Sequence, residues 1–438
     1  MNASYRPVIA VNTLSVPDAR LGGGYTYLCN LLPEMIAAAP GAQFVLLVAE
    51  ANRRLFSFDP QQVALTTLHN NALHGANRTI IEHCLVSRWL RQIRADVYFV
   101  PYGWLPRRLP CPAVWTFQNL LLLGKYQDFL TPPLAWRHRV REWLRGWLVS
   151  RILLPTTINA DRIIAVSQSA KDDLSAQYPQ CRERICVVHE GVGAQFNDTT
   201  DEAADAVVLS RLRIPVPYYL SVSTLMKHKN HESLIRAFVR FKSISGTTAA
   251  LVIIGADWGG YRKRLQRLVG HLQAQQYIHF PGHVDPADLP AVYRNARSFV
   301  LLSPCESFGL PAAEAMACGC PTVVADVGGL AEVVAGGGSQ VNPGDIAGVA
   351  DVLLRLEHSP TQRSALARTG KARATQFPWK VAAQKTVAVF EQVLNLSISP
   401  RRTTDFGEFL NTAGHPTPMT SINESINHPE MTVPAGNS

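Results

Sequence analysis

The 438-residue chain lacks several features that would assign it to a class at once. No run of about 18 uncharged apolar residues occurs, so we predict no membrane-spanning helix. Its eight cysteines are scattered, with Cys318 and Cys320 the closest pair and no C-x-x-C spacing. This favours reduced, buried thiols over a disulfide framework or a zinc site. The N-terminal residues show no basic, long-apolar leader pattern, so we expect a cytoplasmic protein.

The composition is that of a globular protein of more than one domain. Hydrophobic residues make up 47% of the chain and charged residues 17%, which excludes disorder of the whole chain. At this length we expect two domains. The net charge of +9 is concentrated in residues 125–151, which hold six lysines or arginines against two acidic residues. Such a concentration indicates a particular surface rather than general solubility.

Apolar runs of strand length alternate with helical patterns in two successive rounds. The first round contains VIAVNTL, FVLLVA, DVYFVP, AVWTF and RIIAVS, and the second contains YYLSVST, AALVIIG, IHFPGHV, SFVLLS and PTVVAD. The pattern predicts an α/β protein with two Rossmann-like, doubly wound domains facing a cleft, over residues 1–204 and 205–377. Ligands of such sheets bind at the carboxyl ends of the strands. We predict an amphipathic helix over 378–395 and a disordered tail over 396–438.

One segment, SPCESFGLPAAEAMACGCPTVVADVGGLAEVV, carries most of the functional information. A strand leads into a turn that holds Glu306, and a helix opened by Pro311 carries Glu314; Gly319 marks the end of that helix. Amides of the turn would lie at the positive end of the helix, which attracts phosphate. The two carboxylates can accept hydrogen bonds from hydroxyl groups. A ligand with a phosphate and a polyhydroxyl part, such as a nucleotide sugar, would suit this site.

This segment resembles the retaining glycosyltransferases of GT-B fold, family 4, whose signature has the same two-glutamate spacing around F-G-L and E-A-M-A-x-G. The match continues through Gly328, Gly329 and Glu332. The resemblance implies that the predicted helix over 378–395 crosses back onto the first domain. It also implies that Glu306 holds the donor sugar, that Glu314 holds the ribose, and that amides of the turn hold the pyrophosphate, namely those of Phe308, Gly309 and Leu310. The alternative is an ordinary strand–turn–helix unit with two solvated glutamates.

Two further segments supply candidate phosphate contacts. Gly22, Gly23 and Gly24 precede a helix predicted from Tyr25, and the resemblance implies a loop over the donor diphosphate; a simple tight turn is the alternative. After the first strand of the second domain, Lys229 matches the family's lysine, while the position where the family usually has arginine is occupied by Ser223, or by Thr224 if the register slips by one. The negative charge of the diphosphate is then less fully neutralised, unless Lys227 or an arginine of the first domain supplies the missing positive charge. A solvated surface lysine is the alternative for Lys229.

Other strand-end residues complete the predicted site. Gln118 and Asn119 stand where many relatives have His-Asp; glutamine can bind a hydroxyl but cannot take a proton as histidine can. We therefore expect the donor's own phosphate oxygen to accept the acceptor's proton; the alternative is that this amide caps the next turn. By resemblance, Gly255, His283 and Val284 lie where the family holds the nucleotide.

The basic stretch WRHRVREWLRGWLVSRILL has tryptophans on one helical face and arginines on the rest. This is typical of an interfacial helix on anionic lipid. The residues concerned are Trp136, Arg137, Arg141, Trp143, Arg145 and Trp147. The alternative is an amphipathic helix packed on its own domain. No zinc-finger, winged-helix or RNA-binding pattern accompanies the charge, so we do not expect nucleic-acid binding.

These features predict a retaining, metal-independent hexosyltransferase that uses a mannose- or glucose-type nucleotide sugar and needs no cofactor. We place Glu306, Lys229 and Gln118 in catalytic roles. The expected acceptor is a glycan, lipid-linked if the protein lies on the inner face of the plasma membrane, in the assembly of surface polysaccharide such as lipopolysaccharide. The alternatives are a non-catalytic nucleotide-sugar-binding or scaffold protein of GT-B fold, and a GT-B epimerase.

Overall fold

The computed structural model describes residues 5–16, 22–56, 58–60, 62–68, 85–129, 149 and 153–396. The first half of the chain forms a seven-stranded sheet in the order β3-β2-β1-β4-β5-β6-β7, with every pair of neighbours parallel. Its strands are β1 (Val8–Asn12), β2 (Gln43–Ala49), β3 (Val63–Leu68), β4 (Val97–Val100), β5 (Ala113–Phe117), β6 (Arg162–Ala165) and β7 (Ile185–Val187).

The second half repeats this plan in a six-stranded parallel sheet of order β10-β9-β8-β11-β12-β13. Its strands are β8 (Tyr218–Val222), β9 (Ala250–Ile254), β10 (Ile278–Gly282), β11 (Ser298–Leu301), β12 (Thr322–Ala325) and β13 (Ser339–Val341). In both sheets the order reverses direction beside the first strand, which is the doubly wound arrangement. The predicted α/β fold with two Rossmann-like sheets is confirmed.

Helices connect the strands and cover the sheets. In chain order they are α1 (Gly23–Ala38), α2 (85–92), α3 (Leu154–Thr157), α4 (Gln168–Gln177), α5 (Glu202–Arg211), α6 (His231–Ser245), α7 (Tyr261–His271), α8 (Leu289–Arg294), α9 (Leu310–Ala317), α10 (Gly328–Val334), α11 (Ile346–His358), α12 (Pro360–Ala374) and α13 (Trp379–Leu396). The central strands are buried along their whole length, as expected for parallel strands covered on both faces. This explains why they read as unbroken apolar runs in the sequence.

The junction between the two halves lies between β7 and β8. The boundary predicted at residue 205 falls inside α5, where the Asp205 carboxylate accepts hydrogen bonds from Arg294 at 2.5 and 3.0 Å. Asn295 donates to the same carboxylate at 2.9 Å. The structure therefore ties α5 to the second sheet through side chains of α8 and of the residue that follows it.

The helix predicted over 378–395 is observed as α13, and it packs on the first half of the chain. Trp379 meets the Tyr27 ring edge-on with centroids 5.7 Å apart, and Phe390 meets Phe99 at 5.2 Å. Aromatic pairs of this geometry contribute beyond their buried area. The crossover implied by the family resemblance is confirmed by these contacts. The predicted tail beyond Leu396 and the whole tryptophan–arginine face from Trp136 to Trp147 lie outside the described residues.

Candidate active site

The turn that holds Glu306 connects β11 to α9 at the carboxyl end of the second sheet. Gly309 precedes the helix with φ 102°, and a Cβ atom there would lie 2.5 Å from Leu330 Cδ2. Only glycine fits both the backbone angle and the space. The helix ends at Ala317, and Gly319 adopts φ 71°, so the predicted glycine stop is observed. These local features leave the first amides of α9 at the edge of the turn.

Phe308 faces the core and not the cleft. Its side chain is 1% exposed, and its ring meets Phe377 edge-on with centroids 5.4 Å apart. A ligand at this turn would therefore meet the backbone amide of Phe308, as the sequence predicts, while the ring anchors the turn. Leu310 is likewise buried, with 9% of its surface exposed.

The glycines Gly328 and Gly329 lie directly beneath the Glu306 turn. The Gly329 amide donates to the Glu306 carbonyl at 3.1 Å, and a Cβ atom on Gly329 would lie 2.3 Å from the Ser307 carbonyl oxygen. No side chain fits without moving the turn. The two glycines of the family signature thus allow the turn that carries Glu306 to pack closely against the start of α10.

Lys229 and Glu306 form an ion pair in the second domain. Lys229 Nζ lies 2.5 Å from Glu306 Oε1, and the two side chains are 17% and 13% exposed. The lysine is positioned by Asn230, whose φ is 56° and whose amide donates to the carbonyls of Leu302 at 3.2 Å and Pro343 at 3.0 Å. The structure brings together the two residues that the sequence places 77 positions apart.

Glu314, the second glutamate, is 7% exposed. Tyr293 donates a hydrogen bond to its Oε2 at 3.0 Å. Burial raises the Glu314 pKa to about 7, and the tyrosine hydrogen bond opposes that shift. Near neutral pH the group is therefore divided between its two protonation states, and a ligand with hydroxyl groups can find either an acceptor or a donor there.

A third glutamate near this pair was not predicted. Glu190 follows β7 in the segment His189-Glu190-Gly191, and it is 6% exposed. Burial raises its pKa to about 8, with the charges of Glu306 and Glu314 adding to the effect. Its position two residues after the apolar run ICVV, at the carboxyl end of a strand, is a signal that could have identified it.

The predicted nucleotide-side residues lie together at the ends of β8, β9 and β10. The Gly255 amide donates to the Gly282 carbonyl at 2.8 Å, and a Cβ atom on Gly255 would lie 1.9 Å from the Ser223 carbonyl oxygen. Ser223 Oγ lies 3.2 Å from His231 Nε2, so its hydroxyl already has a partner within the second domain. Of the two remaining predicted residues, His283 is exposed and Val284 is buried.

On the first domain, Gln118 lies just after β5. Its Nε2 is buried and has no hydrogen-bond partner, whereas Asn119 Oδ1 accepts a hydrogen bond from the Leu121 amide at 3.1 Å. The neighbouring asparagine therefore caps the next turn, and the glutamine does not. A buried amide without a partner normally calls for an explanation, and a bound ligand would supply one.

The glycine-rich segment differs slightly from the expectation. Helix α1 begins at Gly23 and not at Tyr25, so Gly23 and Gly24 form its first turn. Among the described residues, no other atom lies within 4 Å of a Cβ atom built on Gly23, while one on Gly24 would lie 3.5 Å from the Tyr102 ring. Free amides at a helix start can still meet a phosphate.

Polar contacts join α4 of the first domain to the Glu306 region of the second. Glu332 accepts hydrogen bonds from the amides of Gln168 and Ser169, both at 2.9 Å, and lies 2.7 Å from His189 Nε2. Burial raises the Glu332 pKa, but these hydrogen bonds outweigh that effect and lower it below its usual range. Ser167 Oγ also donates to the Ser307 carbonyl at 2.5 Å. The turn after Glu306 is therefore bonded directly to the first domain.

The described residues show neither a metal-ligand cluster nor a membrane-spanning helix. They contain no group of three or more His, Cys, Asp or Glu residues arranged to hold a metal ion. Among the helices within the same residues, none is long and apolar enough to cross a membrane.

Comparison with known proteins gives matches to both halves of the chain. Residues 21–196 match the family described as Glycosyltransferase Family 4, and residues 212–373 match Glycosyl transferases group 1. The O-antigen chain mannosyltransferase B of Escherichia coli is 26% identical over 302 residues, which are 69% of this chain and 76% of that protein. The D-inositol 3-phosphate glycosyltransferase of Salinispora tropica is 32% identical over 257 residues, 56% of this chain and 52% of that protein. The chain thus spans only about half the length of this second relative.

Among solved structures, Anabaena HepE in complex with UDP-glucose superposes with a TM-score of 0.62 at 17% sequence identity. The superposition covers 89% of this chain and 98% of that one. At this identity the likeness shows the fold alone. Because the two family matches cover the two sheets in turn, and the solved neighbours share their arrangement, the chain belongs to the family 4 (group 1) glycosyltransferases and has their GT-B fold.

Proposed function

We propose that this glycosyltransferase moves a hexose of the mannose or glucose type from a nucleotide-sugar donor to a glycan acceptor. The observation that carries the proposal is the Lys229–Glu306 pair, whose glutamate lies in the turn that leads into α9, the helix that carries the buried Glu314. One cation, a row of amides and two carboxyl groups match the diphosphate, the sugar hydroxyls and the ribose of such a donor. A solved neighbour, HepE, binds UDP-glucose, which supports this donor class.

The chemistry follows from where charge develops. As the bond between the sugar C1 atom and the diphosphate oxygen breaks, negative charge builds on the diphosphate, and Lys229 and the α9 amides are placed to bind it. On donor binding, the ion pair between Glu306 and Lys229 would weaken, and the Glu306 carboxylate would accept hydrogen bonds from the sugar hydroxyls. The acceptor hydroxyl then attacks C1, and its proton passes to the departing phosphate oxygen. Attack from the side the diphosphate leaves retains the anomeric configuration.

Gln118 fits this scheme as a group that binds and orients. Its unpartnered Nε2 can donate to a sugar hydroxyl, but an amide cannot act as a base at neutral pH. We include metal independence in the proposal because the sequence has no D-x-D turn near the phosphate position and Lys229 supplies a positive charge there.

The acceptor is proposed to be a lipid-linked glycan of a surface polysaccharide such as lipopolysaccharide, with the protein bound peripherally to the cytoplasmic face of the plasma membrane. The relative named O-antigen chain mannosyltransferase B supports this acceptor class. The tryptophan–arginine stretch supplies the proposed contact with anionic lipid.

Turnover tests the proposal. The purified protein is incubated with GDP-, UDP- and dTDP-hexoses, with and without a lipid-linked glycan, and acceptor-dependent release of nucleotide is measured. We expect one donor class to give release, and Lys229→Ala to lower kcat about 100-fold or more, as expected for loss of a group that stabilises transition-state charge. Lys263→Ala, an exposed lysine of the same domain, is the matched control. Release that is unaffected by Lys229→Ala, or binding without any release, would contradict the proposal.

A further inference from the structure

Glu190 is held at the point where the first domain leads into the second. The Val188 amide donates to the Ala165 carbonyl at 3.0 Å, and the Val192 amide donates to the Phe377 carbonyl at 2.8 Å. Between them, a Cβ atom on Gly191 would lie 2.5 Å from both the backbone nitrogen and Cγ of Trp379. The backbone on both sides of Glu190 is thus fixed by β6 and by the start of α13, and this sets the direction of its Cα–Cβ bond.

The Glu190 side chain is largely buried, and its carboxyl group has no partner among the described residues, although its oxygens are not fully closed off from solvent. Only 6% of the residue is exposed, and no hydrogen bond or ion pair from any described residue reaches it. A buried carboxyl group in this state is costly for a protein to maintain. Such a cost is typical of a position whose partner is a ligand.

The charged groups around Glu190 come from three elements. Glu306 and Glu314 face it from the second domain, and Tyr27 lies close enough in α1 to sense its charge. Two basic groups of the described residues lie against this cluster, namely Lys229, which is paired with Glu306, and the buried His228, whose charge Glu306 favours. His189, the residue before Glu190, lies 2.7 Å from Glu332 Oε1, and its ring centroid lies 6.1 Å from that of Phe308. These contacts place Glu190 next to the turn that holds Glu306.

We propose that Glu190 is a third donor-binding carboxyl group, which binds a hydroxyl group of the transferred hexose and so contributes to the choice of sugar. This inference rests on the proposed function, because it assumes a nucleotide sugar between Glu306 and Glu314. Glu306 is an acceptor when ionised, and Lys229 is a cation. A neutral carboxylic acid adds an O–H donor and a carbonyl acceptor beside this pair.

If Glu190 binds the donor, the affinity for the donor must depend on the protonation state of Glu190 and therefore on pH. With a pKa of about 8, Glu190 is mainly neutral at pH 7 and becomes charged as the pH rises above 8. A new negative charge beside Glu306 and the donor diphosphate weakens binding, so donor affinity is expected to fall on this alkaline side. Glu314, with a pKa of about 7, ionises earlier, and the burial-raised pKa of Tyr27 places its ionisation far later. Since Glu314 ionises within the same pH range, the part of the alkaline limb assigned to Glu190 is the part that Glu190→Gln removes.

The test compares Glu190→Gln, Glu190→Ala and the control Glu183→Gln, an exposed glutamate of the same domain. For each variant, calorimetry gives the Kd of the preferred nucleotide sugar and of the free nucleoside diphosphate between pH 6.5 and 9.5. We expect Glu190→Gln to bind the nucleotide sugar within about threefold of the parent at pH 7 and to lose that part of the alkaline limb. Glu190→Ala should weaken nucleotide-sugar binding about 10-fold or more and leave the free diphosphate within about twofold.

The outcomes separate this inference from the proposed function. Equal losses for nucleotide sugar and free diphosphate, or an alkaline limb that is unchanged in Glu190→Gln, would overturn the role of Glu190 while leaving the transferase proposal intact. A parent protein that binds nucleotide sugars without turnover would overturn the proposed function, and the Kd comparison would still decide the role of Glu190. A parent that binds no nucleotide sugar would overturn both. Thermal unfolding of Glu190→Ala shows whether a loss reflects the fold, since Glu190→Gln keeps the side-chain volume.

Discussion

Glu332 offers a sharp test of how the first domain is bonded to the donor-binding turn. Its carboxylate accepts hydrogen bonds from the amides of Gln168 and Ser169, at the N-terminal end of α4, and contacts His189. A hydrogen bond to a charged group contributes about 1.5–3 kcal/mol when the alternative is an unsatisfied partner. Glu332 is partly open to water, with 22% of its side chain exposed, so water would replace part of each lost bond.

From these contacts we expect Glu332→Ala to lower the free energy of unfolding by about 2–3 kcal/mol. Ser167 Oγ still accepts a hydrogen bond from the Ala170 amide, so α4 keeps a cap and the variant folds. In Glu332→Gln one acceptor oxygen remains, but the amide NH₂ faces a backbone N–H, and we expect a loss of about 1–2 kcal/mol. Urea denaturation followed by tryptophan fluorescence measures both, with Glu183→Ala as the exposed control.

The stabilisation by Glu332 must also depend on pH in one direction. Its pKa is lower in the folded state than in the unfolded state, so the stabilisation is fully present above the unfolded value, about 4.5. As the pH falls through the lower folded pKa, the carboxylate takes up a proton and the stabilisation is lost. The difference between the parent and Glu332→Gln should therefore shrink as the pH falls from 7 toward 3. A difference below about 0.5 kcal/mol at pH 7, or one that does not change with pH, would refute this account.

Two further predictions concern the turn and the membrane. In Gly329→Ala the new Cβ atom would lie 2.3 Å from the Ser307 carbonyl oxygen, so we expect the Glu306 turn to shift and the Kd for the nucleotide sugar to rise about 10-fold or more. The control Gly41→Ala, where no other described atom lies within 4 Å of the new Cβ atom, should bind like the parent. Equal Kd values for the two variants would contradict the role of Gly329. In the tryptophan–arginine stretch, Trp143→Ala with Arg141→Glu should reduce sedimentation with anionic liposomes severalfold. Sedimentation of the variant equal to that of the parent would contradict the proposed membrane contact.

The sequence predicted the central strands of both sheets and the edge strand β10, and it missed the three other edge strands. The missed strands are β3, β7 and β13, and each has a neighbour on one side only. Central strands must be apolar on both faces, so they stand out as unbroken runs of Val, Ile and Leu. Edge strands are only partly covered, as the intermediate exposure along β3 and β13 shows, and their sequences contain Thr, Ser and Gln. Their pairing is decided by the neighbouring strand and leaves little trace in the sequence.

The donor-binding turn was predictable because its parts are close in the sequence. The spacing from Glu306 to Glu314, the proline at the helix start and the glycine stop at Gly319 are all local features, and the structure shows each of them in its place. The helix starts were less certain: α1 begins two residues before the predicted Tyr25, because glycine occupies its first turn and glycine is a weak helix signal.

By itself, then, the sequence determined the two-sheet plan, the glycosyltransferase signature and the lysine that matches the family's, since each depends on residue type within a short window. Only the tertiary structure decided which distant groups meet: Lys229 with Glu306, Glu332 with the start of α4, and Glu190 with the pair of signature glutamates. The physical reason is that burial and charge act over a few ångströms in space, whatever the separation along the chain. An isolated glutamate such as Glu190 acquires its unusual proton affinity only from the neighbours that folding places around it.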